Sequence, residues 1–202
     1  MQCCADEKWG DWRPHLAMIL SNSTARPDLD VKAITTLGDT LGSRGSLHAA
    51  HFCYLMAQVG FGTYAHKSSK IVLIGSSHNQ PFNKFSSNEA IFATEIFEFA
   101  CNLANSEFVL SHLQVYKLLI ARRLAEVGAL QEAVHYVEVI ANTIAKQPSQ
   151  YTPSFIQEVY DLGDMLKYFD PVYNNSEDVE DSNNDPEWLV HLLNILNDYQ
   201  VS

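Results

Sequence analysis

Histidine and cysteine lie close together in "AAHFCYLMAQVGFG", an otherwise apolar stretch that covers residues 49–62. A cysteine beside a histidine can act as a nucleophile with its base, and both residue types bind metals. The dense apolar spacing predicts a helix, however, and residues two apart on a helix point in different directions. His51 and Cys53 therefore cannot work as a pair, and we interpret Cys53 as a small buried apolar residue.

A metal site is the second chemistry that these histidines suggest. His48 and His51 are three residues apart, so they share one helix face and could bind the same metal ion. With His78 as a third ligand, they would form the metal site of a metal-dependent hydrolase. No further cysteine or acid lies near the pair at a spacing that would supply the remaining ligands. We therefore predict a packed helix without a metal and keep the hydrolase as a remote alternative.

The other motifs with chemical potential are weak. "IVLIGSSHNQPF" looks like a strand followed by a catalytic loop, but it lacks the spacing of a nucleophile elbow and any phosphate-binding glycine pattern. Arg122 and Arg123 are adjacent, and we expect internal ion pairs or solvent contact for them in preference to a partner. The sequence thus predicts no catalytic residue, no cofactor and no metal ligand, so we expect a protein that is not an enzyme. It leaves the partner-binding residues unassigned.

Helices are the elements that must position these residues. Apolar residues recur at helical spacing along most of the chain, which predicts an all-α fold built as an irregular α-solenoid of helical hairpins. Gly45 and Gly128 are the expected turns of two such hairpins. Residues 60–86 break the pattern, and we expect a long connection that packs down through the apolar run at 71–74.

The helix after this connection, "SNEAIFATEIFEFACNLA", is expected to start at Ser87 as its N-cap. Aromatic residues at helical spacing more often belong to a core than to a ligand pocket. We therefore predict one apolar face turned toward the core. Its members are Ile91, Phe92, Ile96 and Phe99.

A weak internal repeat relates two parts of the chain at an offset of 83 residues, with "LGSRGSLHAAHFCYLMA" aligned to "LAEVGALQEAVHYVEVI". Each unit reads as a helix, a glycine turn and a helix that opens with small residues, which let two backbones approach closely. Two copies do not make a regular array, but they indicate stacked hairpins. The matched positions are Leu41/Leu124, Gly45/Gly128, Leu47/Leu130 and Ala50/Ala133.

Charge is unevenly distributed along the chain. The formal net charge is −11, and residues 170–187 carry seven acids and no base, which leaves 17 acids against 13 bases elsewhere. Without a basic patch, binding to nucleic acid or to an anionic membrane has little electrostatic support. The four cysteines show no CxxC spacing, which is typical of a reducing compartment, and the charged N-terminus predicts no secretory signal.

We divide the chain into four segments. Residues 1–8 are expected to form a disordered N-terminus, and residues 9–169 a helical stack. The acidic stretch at 170–184, rich in asparagine and serine, is typical of a linker. Residues 185–202 are predicted to form an amphipathic C-terminal helix.

Five ordered segments resemble the central conserved domain of the Sec-sixteen family, the large peripheral scaffolds that organise COPII coat assembly at endoplasmic-reticulum exit sites. The similarity runs from Trp9 to about Ala145 and weakens after Pro148, where "DPEWLVHLLNILN" is still similar. No single motif is diagnostic, but five long matches in one order are hard to obtain by chance. The segments are "WRPHLAMILSN", "AITTLGDTLGSRG", "AAHFCYLMAQVGFG", "KIVLIGSSHNQPFNKFSSNEAI" and "VYKLLIARRLAEVGALQEAVHYVEVIA".

The resemblance implies the C-terminal part of an ancestral coatomer element, a helical fold-back stack. It implies binding to COPII coat proteins, including the small β-propeller of the outer cage, which in the family is completed by a β-blade upstream of the helices. Because the chain begins just before "WRPH", we expect the blade to be missing and any uncovered apolar face to self-associate. The implied location is the cytoplasmic face of the endoplasmic reticulum at exit sites and Golgi-proximal membrane, with peripheral attachment.

The leading hypothesis is therefore a non-enzymatic scaffold for COPII coat assembly and transport from the endoplasmic reticulum to the Golgi. A generic helical-repeat adaptor of another coat or of a nuclear-pore assembly is the alternative. The metal-dependent hydrolase with His48, His51 and His78 is the remote third hypothesis.

Overall fold

Helices make up the regular structure of the computed structural model, which describes residues 11–22, 26–169 and 185–201. The predicted all-α fold is confirmed for these residues, which form nine α-helices, three 3₁₀ turns and no strand. The helices are α1 (Trp12–Ser21), α2 (Pro27–Ser43), α3 (Leu47–Met56), α4 (Phe82–Phe85), α5 (Asn88–Ala104), α6 (Gln114–Glu126), α7 (Leu130–Lys146), α8 (Pro153–Leu166) and α9 (Glu187–Val201).

The chain divides into two compact units, Met1–Ala93 and Thr94–Ser202. The predicted disordered N-terminus at 1–8 and the predicted acidic linker at 170–184 lie outside the described residues. None of the described helices combines the length and the apolar character that crossing a bilayer requires.

The first unit is built on the hairpin of α2 and α3, with α1 packed against α2. The hairpin turns at Gly45, whose φ of +84° places it in the left-handed region that glycine adopts without strain. Leu16 from α1, Ile34 from α2 and Cys53 from α3 all lie in one buried cluster. The prediction that Cys53 is a buried apolar residue is confirmed, and burial raises the pKa of its thiol.

A close approach between α2 and α3 occurs at Gly38. A Cβ atom at this position would lie 2.6 Å from Cε1 of Tyr54 and 3.2 Å from the carbonyl oxygen of Ala50. The Tyr54 ring is held in place because its hydroxyl donates to Oδ1 of Asp39 at 2.9 Å. The small residue is therefore required by the packing of the hairpin and not by a turn.

We expect Gly38→Ala to lower the free energy of unfolding by about 1–3 kcal/mol, the usual effect of overpacking. Gly42→Ala, one turn later on α2, is the matched control because its Cβ would meet Ala50 Cβ at an ordinary 3.5 Å. That change should be neutral or stabilising by up to about 1 kcal/mol, since alanine favours helix over glycine. Urea unfolding of both variants tests this, and equal midpoints for the two would contradict the close packing.

The long connection between α3 and α5 is anchored by an apolar plug, as predicted. Ile71, Val72 and Leu73 are at most 2% exposed. The short helix α4 is tied to the same region, since the Ser76 hydroxyl donates to the carbonyl oxygen of Phe85 at 2.5 Å. The connection is thus a packed part of the first unit.

The second unit is built around α7, which packs against α6, α8 and α9. Fully buried residues from all four helices form its core, and Gly163 on α8 permits the approach of Trp188 on α9. The C-terminal helix carries Trp188, Leu189 and Leu192 into this core and is therefore an integral part of the unit.

The internal repeat is visible in the backbone of the two hairpins. Gly45 and Gly128 share the same φ of +84°. In both repeats the residue after the glycine donates its backbone N–H to the carbonyl five residues earlier, at 2.9 Å. This is the hydrogen bond of a Schellman helix end, so the predicted common turn is confirmed.

The predicted orientation of α5 is wrong. Ile91 is fully buried, but Phe92, Ile96 and Phe99 are 42%, 69% and 64% exposed. Glu98 occupies the buried side of the helix, at 8% exposure, because its carboxylate has two internal partners. On this side of α5 the Glu98 carboxylate pairs with Lys117, whereas the side with Phe92 and Phe99 faces solvent.

Candidate partner-binding site

His51 is a structural histidine of the first unit. It is 2% exposed, and its Nδ1 accepts the backbone N–H of Gly75 at 3.0 Å. Acceptance at Nδ1 places the proton of the neutral ring on Nε2. His48 lies beside the same loop, where its ring would contact any side chain at Gly75. The two histidines therefore hold the connection against α3.

We expect His51 to make the first unit sensitive to acid. Burial and the neighbouring His48 lower its pKa to about 4, whereas an unfolded histidine titrates near 6.5. The unfolded state thus takes up the proton first, so stability is complete above about pH 6.5 and falls by about 3 kcal/mol as the pH drops toward 4.

His51→Asn is the matched variant, since its amide oxygen can still accept the Gly75 N–H but does not titrate. Unfolding curves measured between pH 4.5 and 6.5 should show a shallower pH dependence for this variant than for the wild type. Equal slopes would show that His51 does not control the acid sensitivity.

His78 belongs to an aromatic cluster near the loop end. Its ring stacks on Tyr64 at a centroid distance of 5.7 Å and on Phe85 at 5.8 Å. Within residues 11–22, 26–169 and 185–201, no group of three or more histidines, cysteines or acids is placed to hold a metal ion. His48 thus packs beside Gly75, His51 accepts the N–H of Gly75, and His78 stacks on two aromatic rings.

Arg122 makes an ion pair on the surface of the second unit. Its guanidinium donates to Oε2 of Glu158 at 2.8 Å, and both side chains are about half exposed, at 46% and 54%. The expected internal pairing is therefore seen for Arg122. The adjacent Arg123 is also engaged within the chain.

An apolar groove of about 1070 Å³ lies between α1 and α3 in the first unit. Its walls include Trp12 and Phe52, whose ring centroids are 5.9 Å apart, and Leu16 lies within it. Phe52 and Leu20 are 48% and 42% exposed. Exposed aromatic residues in a concave surface are typical of protein-binding sites.

A second apolar surface lies on α5 in the second unit. Ile96, Phe99 and Leu103 are 69%, 64% and 74% exposed. Their spacing of three and four residues places them on one side of the helix. We call these three residues the α5 apolar face.

A polar pocket of about 360 Å³ opens beside the α5 apolar face, because Phe99 also lines it. Lys117 on α6 donates to Oε2 of Glu98 at 2.5 Å, and Glu98 Oε1 accepts the backbone N–H of Leu110 at 2.8 Å. Both side chains of the ion pair are only about one-tenth exposed, at 11% and 10%. A desolvated, hydrogen-bonded pair of this kind fixes the pocket floor.

Two acceptor oxygens of this pocket have no hydrogen-bond partner among the described residues, namely Oε1 of Glu95 and Oε1 of Gln114. Gln114 is 0% exposed. The other oxygen of Glu95 accepts the hydroxyl of Tyr136 at 3.0 Å. Burial raises the pKa of Glu95, and the nearby Glu98 acts in the same direction, while Tyr136 and Lys117 oppose the rise.

Reading the sequence did not identify the residues of this pocket. The available signal was a pair of acids, Glu95 and Glu98, three residues apart in the largely apolar second half of α5. Gln114 and Lys117 have the same spacing on α6. Residues three apart share a helix face, so each pair could have been assigned to one side of its helix. Only the fold shows that the two sides meet.

Several proteins resemble this chain over most of its length. Human "Protein transport protein Sec16A" is 50% identical over 193 residues, which is 96% of this chain and 8% of that protein. Human "Protein transport protein Sec16B" is 45% identical over 190 residues, which is 94% of this chain and 18% of that protein. The Arabidopsis thaliana "Protein transport protein SEC16A homolog" is 32% identical over 158 residues, which is 78% of this chain and 11% of that protein.

The chain thus spans less than one-fifth of the length of these relatives. No solved structure matches it. The family model described as "Sec16 Sec23-binding domain" matches residues 2–177, which include all described helices except α9. On this evidence the chain belongs to the Sec16 family.

Proposed function

We propose that this chain is a non-enzymatic scaffold module that binds the coat protein Sec23 and supports COPII coat assembly at endoplasmic-reticulum exit sites. The observation that carries the proposal is the match of residues 2–177 to the Sec16 Sec23-binding domain. The named relatives are protein transport proteins, which agrees with transport from the endoplasmic reticulum to the Golgi.

The structure offers two surfaces for this role. The α1–α3 groove presents Trp12 and Phe52, and the α5 apolar face presents Phe99 between two aliphatic residues. Buried aromatic anchors surrounded by polar residues usually supply most of the binding energy of an interface. We assign coat binding to the groove because it is the larger concave surface.

The test is the location of the full chain in cells that carry a marked COPII coat. We expect a fluorescent fusion to concentrate in puncta that overlap the coat marker, and Phe52→Ser to disperse it. Val127→Ser is the matched control, since it also removes an exposed apolar side chain, at 78% exposure, but outside the groove. A diffuse signal from the wild-type chain, or equal dispersal by both variants, would contradict the proposal.

The proposal extends to finer contacts of the same role. We propose that the chain also associates with itself and contacts the small β-propeller of the outer cage directly or indirectly. We further propose that it attaches peripherally to membranes near the Golgi as well as at exit sites. The α5 apolar face supports self-association, because three exposed apolar residues on one helix face resemble the core of an interface. Sedimentation of the wild type against Ile96→Ser checks this part, and a monomer at all concentrations would remove it.

A further inference from the structure

We propose that the polar pocket beside α5 binds the arginine side chain of a peptide. The inference goes beyond the coat function proposed above, because it concerns the chemistry of one pocket and not the protein that supplies the peptide.

The pocket needs hydrogen-bond donors. Glu95 on α5 and Gln114 on α6 each present a buried oxygen without a partner among the described residues, and both side chains line the pocket. An unpartnered buried acceptor is unfavourable, so a donor group that enters gains more here than it would at an exposed site. A carboxylate and an amide oxygen together favour a donor with several N–H groups.

The charge of the pocket favours a cation over an anion. Lys117 is already paired with Glu98, so these two charges balance within hydrogen-bond distance. Glu95 is left with a neutral partner, the hydroxyl of Tyr136. Lys146 also lines the pocket, but its side chain is exposed and its charge is screened by water.

Guanidinium fits this pocket better than ammonium. It presents five N–H donors in a plane, so it can reach two acceptors on different helices at once, and it is less strongly hydrated than the ammonium of lysine. Phe99 and Phe108 also line the pocket, and aromatic faces stack favourably on guanidinium. The volume of about 360 Å³ is enough for one such side chain.

The pocket is rigid enough to be a binding site in the free protein. Asn102 donates to the carbonyl oxygens of Ser106 at 3.0 Å and of Phe108 at 3.3 Å, which holds the loop after α5 in place. Glu98 fixes the same loop through the N–H of Leu110. The backbone around the pocket is therefore held in place, and only side chains need to move for a donor to reach the buried oxygens of Glu95 and Gln114.

The experiment is a titration of the full chain with the capped tripeptide acetyl-Leu-Arg-Leu-amide, followed by amide chemical shifts and calorimetry. We expect saturable binding with shifts at the Gln114 side chain. The same peptide with citrulline, which keeps the shape but loses the charge, should bind at least tenfold more weakly. No saturable binding, or equal affinity for both peptides, would overturn the inference.

Glu95→Gln removes the charge but keeps an acceptor for Tyr136, and should weaken binding of the arginine peptide about tenfold or more. Glu132→Gln is the matched control, because it makes the same change at an exposed position of α7 outside the pocket. Gln114→Met, which preserves the side-chain volume, should also weaken binding of the arginine peptide. Unchanged affinity in Glu95→Gln, or an equal loss in Glu132→Gln, would show that the pocket does not hold the arginine.

Discussion

Lys117→Met should lower the free energy of unfolding of the second unit by about 3–5 kcal/mol, the cost of leaving one buried charge without its partner. Methionine preserves most of the side-chain volume, so little of this loss would come from a cavity. What remains is the Glu98 carboxylate, 8% exposed, with the N–H of Leu110 as its remaining described partner.

Arg122→Met is the matched control for this change. It removes a cation from an ion pair on the same helix, but the Arg122–Glu158 pair is about half exposed, at 46% and 54%. Exposed pairs contribute about 0–1 kcal/mol, so the unfolding midpoint should barely move. Chemical denaturation of both variants measures these two effects. Comparable losses of unfolding free energy in the two variants would show that the Glu98–Lys117 pair is not effectively desolvated.

Leu192→Ala is the second change with a large expected effect. Leu192 on α9 is 0% exposed and packs in the core of the second unit with Trp188 and Leu189. Truncating a buried leucine removes apolar contact and leaves a cavity, which costs about 2–5 kcal/mol. The C-terminal helix should therefore be required for the stability of the whole unit.

The adjacent residue gives the control for this prediction. Leu193 is 38% exposed, and Leu193→Ala makes the same chemical change on the same helix. We expect Leu193→Ala to lower the free energy of unfolding by about 0.5 kcal/mol, as is usual for surface substitutions. Thermal and urea unfolding of the two variants should differ clearly. Similar midpoints would indicate that α9 does not contribute to the core as the structure describes.

The hairpins were predictable because their signals are local. Gly45 and Gly128 each end a run of helical periodicity, and the left-handed conformation at both positions follows from the absence of a side chain. The prediction for Cys53 also rests on a local signal, because residues two apart on a helix, such as His51 and Cys53, point in different directions. Local sequence therefore predicted the turns, the helices and the burial of Cys53.

The orientation of α5 was not predictable by the same reasoning. Periodicity assigns Phe92, Ile96 and Phe99 to the core because burial of apolar area is usually the main driving force of folding. In the structure the internal partners of Glu98 compensate its desolvation, so Glu98 is buried while Phe92, Ile96 and Phe99 are exposed. Whether a buried charge finds its partner depends on which helices meet, and that information is not local.

The α5 apolar face and the pocket beside it follow from this inversion. An apolar face that periodicity assigns to the core becomes a surface feature, and the polar residues behind it become the pocket with unpartnered oxygens. The family match identifies the kind of protein, but the side of α5 that faces solvent is visible only in the structure.

Direct binding of the purified full chain to purified Sec23 tests the central claim. Calorimetry should show saturable binding with one site per chain, and Phe52→Ser in the α1–α3 groove should weaken it while Val127→Ser leaves it unchanged. Absence of binding by a chain whose circular dichroism shows the expected helical fold would contradict the proposed role as a Sec23-binding scaffold module.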